Sequence, residues 1–169
     1  AATAMGAVLS LAKSAAPVSV VAVAALAENM PSGNAQRPGD VVRTLSGKTI
    51  EVLNADAEGR LVLADANEYV AKAAKPRAII TLATLTGAIV SALDDEYAGL
   101  FSRDDALAGA LAKSGADTGE ALWRMPLHKN YAEDMKSDIA DIKNVNEGGG
   151  PGAGQRATGP RPGQRGRDC

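Results

Sequence analysis

Pro17-Val-Ser-Val-Val-Ala-Val-Ala-Ala-Leu-Ala27 is the stretch on which the fold reading turns. Its β-branched run, residues 18–23, is apolar on both faces, which suits a central strand of a parallel or mixed sheet covered by helices. Just upstream, Met5, Val8, Leu9 and Ala12 stand at i, i+3, i+4 and i+7, the spacing of one helical face, before Pro17 breaks it. A short buried helix leading into a buried strand is the grammar of α/β proteins. A second run of the same kind, Ala78-Ile-Ile-Thr-Leu-Ala-Thr84, repeats the strand signal and closes on Leu85-Thr86-Gly87.

Between these runs, residues 28–40 collect Asn, Pro, Ser, Gly, Gln and Arg with little to bury, so a long surface loop is predicted. Val41-Val-Arg-Thr-Leu45 and Thr49-Ile-Glu-Val-Leu53 flank Ser46-Gly47-Lys48, two β-prone segments around a Gly-containing turn, and read as a hairpin. Residues 61–75 are rich in Ala and Leu and stop at Lys75-Pro76, which predicts a helix with a clean end. Further on come an apolar segment to Leu93, a strand over residues 98–101, a helix over 104–113 and a helix starting after Pro126. The expected fold is a three-layer α/β/α domain over residues 1–147 with a mixed, mostly parallel central sheet. From Gly148 onward Gly, Pro and Arg dominate, so residues 148–169 are expected to be a disordered tail.

Composition narrows the function classes. A chain of 169 residues is enough for one domain, and 46% hydrophobic content is that of a globular protein. The balance of 18 Lys+Arg against 20 Asp+Glu leaves a formal charge of −2, which argues against a dedicated binder of nucleic acid or an anionic membrane. A single Cys, Cys169, excludes an intramolecular disulfide framework or a Cys-rich zinc module and fits a reducing compartment. The apolar stretch after Pro17 is about half the length of a membrane-spanning helix, so no transmembrane segment is expected. Ala1-Ala-Thr-Ala-Met-Gly6 reads neither as a signal peptide nor as a natural start, and the chain is expected to begin inside a longer protein.

The densest polar cluster outside the tail is Asn54-Ala-Asp-Ala-Glu-Gly-Arg60. In an extended conformation Asp56, Glu58 and Arg60 would project to one side, with Ala55, Ala57 and Gly59 on the other. Carboxylates that close repel one another unless cations balance them, and divalent metals take oxygen ligands well. Two metals about 3.5–4 Å apart can activate a water and stabilise a hydrolytic oxyanion. The plain alternative is a solvated loop with an internal ion pair and an Asp or Asn capping the helix near Leu61.

The run Asn54-Ala-Asp-Ala-Glu-Gly-Arg-Leu61 closely resembles the signature of the leucyl (cytosol) aminopeptidase family, usually Asn-Thr-Asp-Ala-Glu-Gly-Arg-Leu, in seven of eight positions. The resemblance extends through Ala25-Leu-Ala-Glu-Asn-Met-Pro-Ser-Gly-Asn34, Pro38-Gly-Asp40, Gly47-Lys-Thr-Ile-Glu-Val-Leu53, Leu63-Ala-Asp-Ala66, Ala83-Thr-Leu-Thr-Gly-Ala88 and Leu122-Trp-Arg-Met-Pro-Leu127. It implies the C-terminal catalytic domain, its central sheet incomplete in this chain, of a two-metal aminopeptidase that releases N-terminal residues, leucine often preferred, with zinc, manganese or magnesium ions. It further implies that Asp56 and Glu58 give carboxylate oxygens to the metals, Glu58 bridging both, and that Arg60 is the catalytic arginine holding a bicarbonate. Thr84, Leu85, Thr86 and Gly87 match the segment lining the substrate site. The partners implied are peptide substrates and, as in relatives, five further copies in a homohexamer.

Departures from the pattern set further expectations. The family's other metal ligands, one lysine and two aspartates, and a second catalytic lysine lie upstream of Ala1, so the chain alone is expected to bind metal weakly and not to catalyse. After Gly148-Gly-Gly-Pro-Gly-Ala-Gly154 the family pattern gives way, and residues 155–169 are read as the product of a shifted reading frame, which resequencing would test. Two other classes stay open: a non-enzymatic truncated fragment or scaffold, and a weak nucleic-acid binder acting through the arginines between Arg156 and Arg167. His128, the only histidine, is expected to be a partly exposed residue at a helix start, and Trp123 with Met125 is expected to pack on the core. Asp138 and Asp141 are given no role.

Overall fold

The computed structural model describes residues 1–28 and 30–146, so the tail expected over 148–169 lies outside the described residues. The chain divides into two compact units. One comprises Ala1–Leu85 with Ser137–Val145, and the other Thr86–Lys136 with, among the described residues, Asn146.

In the first unit the hairpin forms where the turn chemistry places it. Strands β1 (Val41–Arg43) and β2 (Thr49–Glu51) pair antiparallel with Val42 opposite Ile50. Thr44 and Gly47 close the turn, Gly47 donating its N–H to the Thr44 carbonyl at 2.9 Å from a φ of +89° that disfavours any side chain. The ladder continues past the strand as Val52 donates to Asp40 and accepts from Gly39. A strand absent from the sequence reading, β5 (Ile142–Lys143), adds to the other edge of β2 in parallel, giving the order β1-β2-β5. Ile50, Val52 and Ala57 form the apolar core of this unit.

Helix α2 (Gly59–Ala74) begins two residues before the expected Leu61 and ends at Lys75, whose left-handed backbone precedes Pro76. It is tied to the hairpin turn by the Asp65 carboxylate, which accepts from Leu45 N–H at 2.8 Å. Lys72, paired with Glu68, also donates to the Leu45 carbonyl.

The second unit holds the strand expected near Ala98 as β3 (Ala98–Leu100), and β4 (Leu122–Arg124), which the sequence reading did not assign. They pair in parallel around helix α4 (Asp105–Thr118), a β-α-β connection. Asp104 caps α4 by accepting from Leu107 N–H at 3.0 Å, and Gly119 ends it with φ +76°. A side chain at Gly115 would stand 2.4 Å from the Glu120 carbonyl oxygen, so glycine permits the helix to lie on the strand end. Helices α3 (Ala88–Leu93) and α5 (Asn130–Glu133) complete the unit, with Ala88, Ala108 and Met125 buried.

The α/β class therefore holds, and two of the three strand pairings are parallel. Three expectations are corrected. Residues 18–23 and 78–84 form no strand, and their side chains are exposed, Val21 at 63% and Ile80 at 54%. A β-branched run becomes a strand only when a neighbour supplies ladder hydrogen bonds, and among the described residues no strand pairs with either run. Helix α1 (Ala2–Lys13) forms as predicted but buries nothing, Met5 and Leu9 both being exposed. Trp123 is exposed with its ring edge-on to Tyr97 at 5.6 Å, and only Met125 of that pair reaches the core.

Candidate active site

The motif Asn54–Leu61 is a capped turn rather than an extended segment. Asn54, itself extended, turns its side-chain oxygen onto the N–H of Asp56 at 2.9 Å and starts a 3₁₀ turn over Ala55–Ala57. Glu58 is already right-handed helical, and its carbonyl accepts from Leu61 and Val62 to open α2. The expected one-sided display of Asp56, Glu58 and Arg60 is corrected accordingly. On a helical path each residue turns about 100–120°, so neighbours two apart diverge whereas Asp56 and Arg60, four apart, return toward one face. The Asn cap overrides the extended geometry because it satisfies an N–H that an extended chain would leave to solvent.

Asp56 is exposed, and Glu58 and Arg60 are half-buried. Among the described residues no group of three or more His, Cys, Asp or Glu side chains is placed to hold a metal ion. Arg60 forms no ion pair with either carboxylate. Its Nη1 instead donates to the Asn144 carbonyl at 2.7 Å, and its Nε–H is buried without a hydrogen-bond partner. Desolvation lowers the guanidinium pKa from its ordinary value, yet arginine stays charged at any working pH. A buried cationic donor with an open hydrogen bond suits an anion.

Asn144, missed in the sequence, is the best-connected side chain at this turn. Only 2% exposed, it accepts through Oδ1 from Leu53 N–H at 2.9 Å and Asn54 N–H at 3.3 Å, and donates through Nδ2 to the Asn54 carbonyl at 2.7 Å. The sole sequence signal was a polar Lys143-Asn144 pair between apolar Ile142 and Val145, too slight to assign.

Of the substrate-lining candidates, Thr84 and Leu85 close the first unit and Thr86 and Gly87 open the second. Leu85 packs against the motif, its Cδ1 lying 3.1 Å from where a side chain on Gly59 would begin. Thr86 accepts from Ala88 N–H at 3.3 Å and Gly87 precedes α3. His128 stands just before α5, the helix-start position expected for it, and is exposed, its Nδ1 accepting from Asn130 N–H.

The two units and the carboxylate turn define an α/β domain, and comparison with known proteins makes its family specific. Residues 1–158 match the catalytic-domain model of the cytosol aminopeptidase family. The chain belongs to that family. It is 55% identical over 154 residues to a probable cytosol aminopeptidase of Rickettsia bellii, covering 91% of this chain and 30% of that protein. To one of Gluconobacter oxydans it is 56% identical over 153 residues, 90% of this chain and 31% of the relative. A solved tomato leucine aminopeptidase mutant is similar with a TM-score of 0.69 and 50% identity, covering 72% of this chain and 24% of that one. The chain thus spans under a third of the length of the curated relatives it matches.

Proposed function

We propose that this domain serves a metal-dependent aminopeptidase that releases N-terminal residues, leucine preferred, from peptides. The observation that carries the reading is the capped turn with Asp56 and Glu58 beside a half-buried Arg60 whose Nε–H lacks a partner. Asp56 and Glu58 offer oxygen donors for two divalent ions, zinc or manganese, with magnesium as the third candidate. When bound, such a pair supplies an activated water and positive charge for the oxyanion. Arg60 would hold an anion, a bicarbonate that would supply a general base, and its buried Nε–H without a partner supports that role. Thr84, Leu85, Thr86 and Gly87 line the substrate path, supported by the contact of Leu85 with Gly59.

The whole protein is proposed to be a cytoplasmic homohexamer. Among the described residues no helix is long and apolar enough to cross a membrane. These 169 residues by themselves are proposed to be inactive, because the family pattern places three further ligands upstream of Ala1. A second reading, a non-enzymatic fragment, draws support from the exposed apolar residues of the 18–26 and 79–82 runs. Leucine anilide hydrolysis with added manganese separates the two. The chain alone should be silent, and a fusion that joins residues 1–154 to both the preceding and the following segments of the Rickettsia bellii relative should restore activity that Asp56→Ala abolishes. Restored activity that survives Asp56→Ala would overturn the ligand assignment, and a correctly folded fusion that stays silent would favour the fragment.

A further inference from the structure

We infer that Asn144 is a positioning residue that fixes the carboxylate turn and the arginine in a common frame. The inference rests on the reading of Asp56 and Glu58 as metal ligands and deepens it.

Asn144 faces the site with two different groups. Its side-chain amide grips the backbone on which Asp56 and Glu58 are carried, through Leu53 N–H, Asn54 N–H and the Asn54 carbonyl, with the Ala57 carbonyl at 3.5 Å as a longer fourth partner. Its main-chain carbonyl takes Nη1 of Arg60 at 2.7 Å. Rotating the amide by half a turn would set donor against donor and acceptor against acceptor, so the pattern admits one orientation. Asn144 is itself anchored, its N–H donating to the Glu51 carbonyl at 2.9 Å as a continuation of the β2–β5 pairing. One residue therefore passes the rigidity of the sheet to both halves of the site. The turn otherwise holds itself by local bonds only, Asn54 Oδ1 to Asp56 N–H and the Asn54 carbonyl to Ala57 N–H.

Buried amides that complete their hydrogen bonds specify a unique local arrangement, and losing one leaves several groups unpaired at once. Metal affinity responds to such support, typically by tenfold to a hundredfold when a group orienting a ligand is removed. A structural control exists on the same strand pair. At the opposite end of β2, Asp141 accepts from the Thr49 N–H at 2.7 Å and from its hydroxyl at 2.9 Å, so Thr49→Val loosens β2–β5 without touching the turn.

The experiment is a manganese titration of the full chain followed by paramagnetic broadening of the Asp56 and Glu58 backbone amide signals. Asn144→Ala should raise the manganese concentration for half-broadening at least tenfold, while the Val42 and Ile50 amides stay protected from exchange. Asn144→Asp, which keeps the volume and the acceptor oxygen, should shift it the same way by less. Thr49→Val should leave it unchanged. Equal half-broadening in wild type and both Asn144 variants, or an equal shift from Thr49→Val, overturns the positioning role. Broadening that Asp56→Asn leaves unaltered overturns the ligand reading instead.

Discussion

The β1-β2-β5 sheet and the two apolar runs at 18–23 and 78–84 invert what their sequences advertise. The sheet is built from Val-Val-Arg, Thr-Ile-Glu and Ile-Lys, short and studded with charge, yet it is hydrogen bonded and encloses Ile50 and Val52. The runs are far richer in β-branched and aliphatic residues, yet they form no regular secondary structure and expose their side chains. Strand character thus belongs to a pair of segments and not to one. The hairpin carries its partner and its turn within thirteen residues, 41–53, whereas a parallel strand depends on chain distant in sequence.

The sharpest test of that contrast places the same charge in each region. Val52 is 0% exposed, and Val52→Asp should cost about 4 kcal/mol or more, because the carboxylate is buried without a partner. Amide exchange at Ile50 and Val42 should lose protection. Val21→Asp, in the exposed run, should change stability by less than about 0.5 kcal/mol. Equal damage from both would mean that the 18–23 run is packed in solution and the comparison fails.

The second unit offers a smaller version, since β3 and β4 are also only three residues long and depend on α4. Gly115→Ala would drive a methyl against the Glu120 backbone carbonyl and should cost about 2 kcal/mol. At Gly99 the nearest obstacle is the end of the Ile89 side chain, which can move, so Gly99→Ala should cost less than about 1 kcal/mol. Denaturant unfolding of the two variants checks the order. Returning to the hairpin, Gly47→Ala should cost about 1 kcal/mol through its positive φ alone, with open space around it.

These cases show which parts of the molecule could be read from sequence. Gly47 and the β-prone segments on either side of it announced the hairpin, Lys75-Pro76 announced the end of α2, and Asp104 announced the start of α4, because each is a local signal with a local cause. Ile142–Lys143 and Leu122–Arg124 were not legible, since a strand of two or three residues is defined by the neighbour it meets. At the candidate site the residue types Asp56, Glu58 and Arg60 were legible through the motif, but their path was not. Asn54 decides that path by capping a turn, and Asn144, ninety positions away in the chain, holds it there. Long-range polar clamps of this kind leave no periodicity to detect.

The smallest effect concerns the far end of the same sheet and distinguishes pairing held by backbone from pairing held by charge. The Thr49 N–H and then the Thr49 hydroxyl lower the Asp141 pKa below the ordinary carboxylate value, with weaker help from Lys48 and Arg43. A carboxylate whose folded pKa is depressed stabilises the fold above its unfolded pKa, and that contribution disappears as pH falls through the folded value. The side chain is exposed, so the loss should be slight and confined to acid pH. A carboxyl titration by NMR should find the Asp141 midpoint below the ordinary carboxylate value, and Thr49→Val should move it upward while leaving part of the depression, since the backbone N–H remains. A midpoint at the ordinary value would mean that the Thr49 contact is absent in solution. Acid would then spare the β2–β5 edge, and the main-chain bonds with Asn144 would hold the strand on their own.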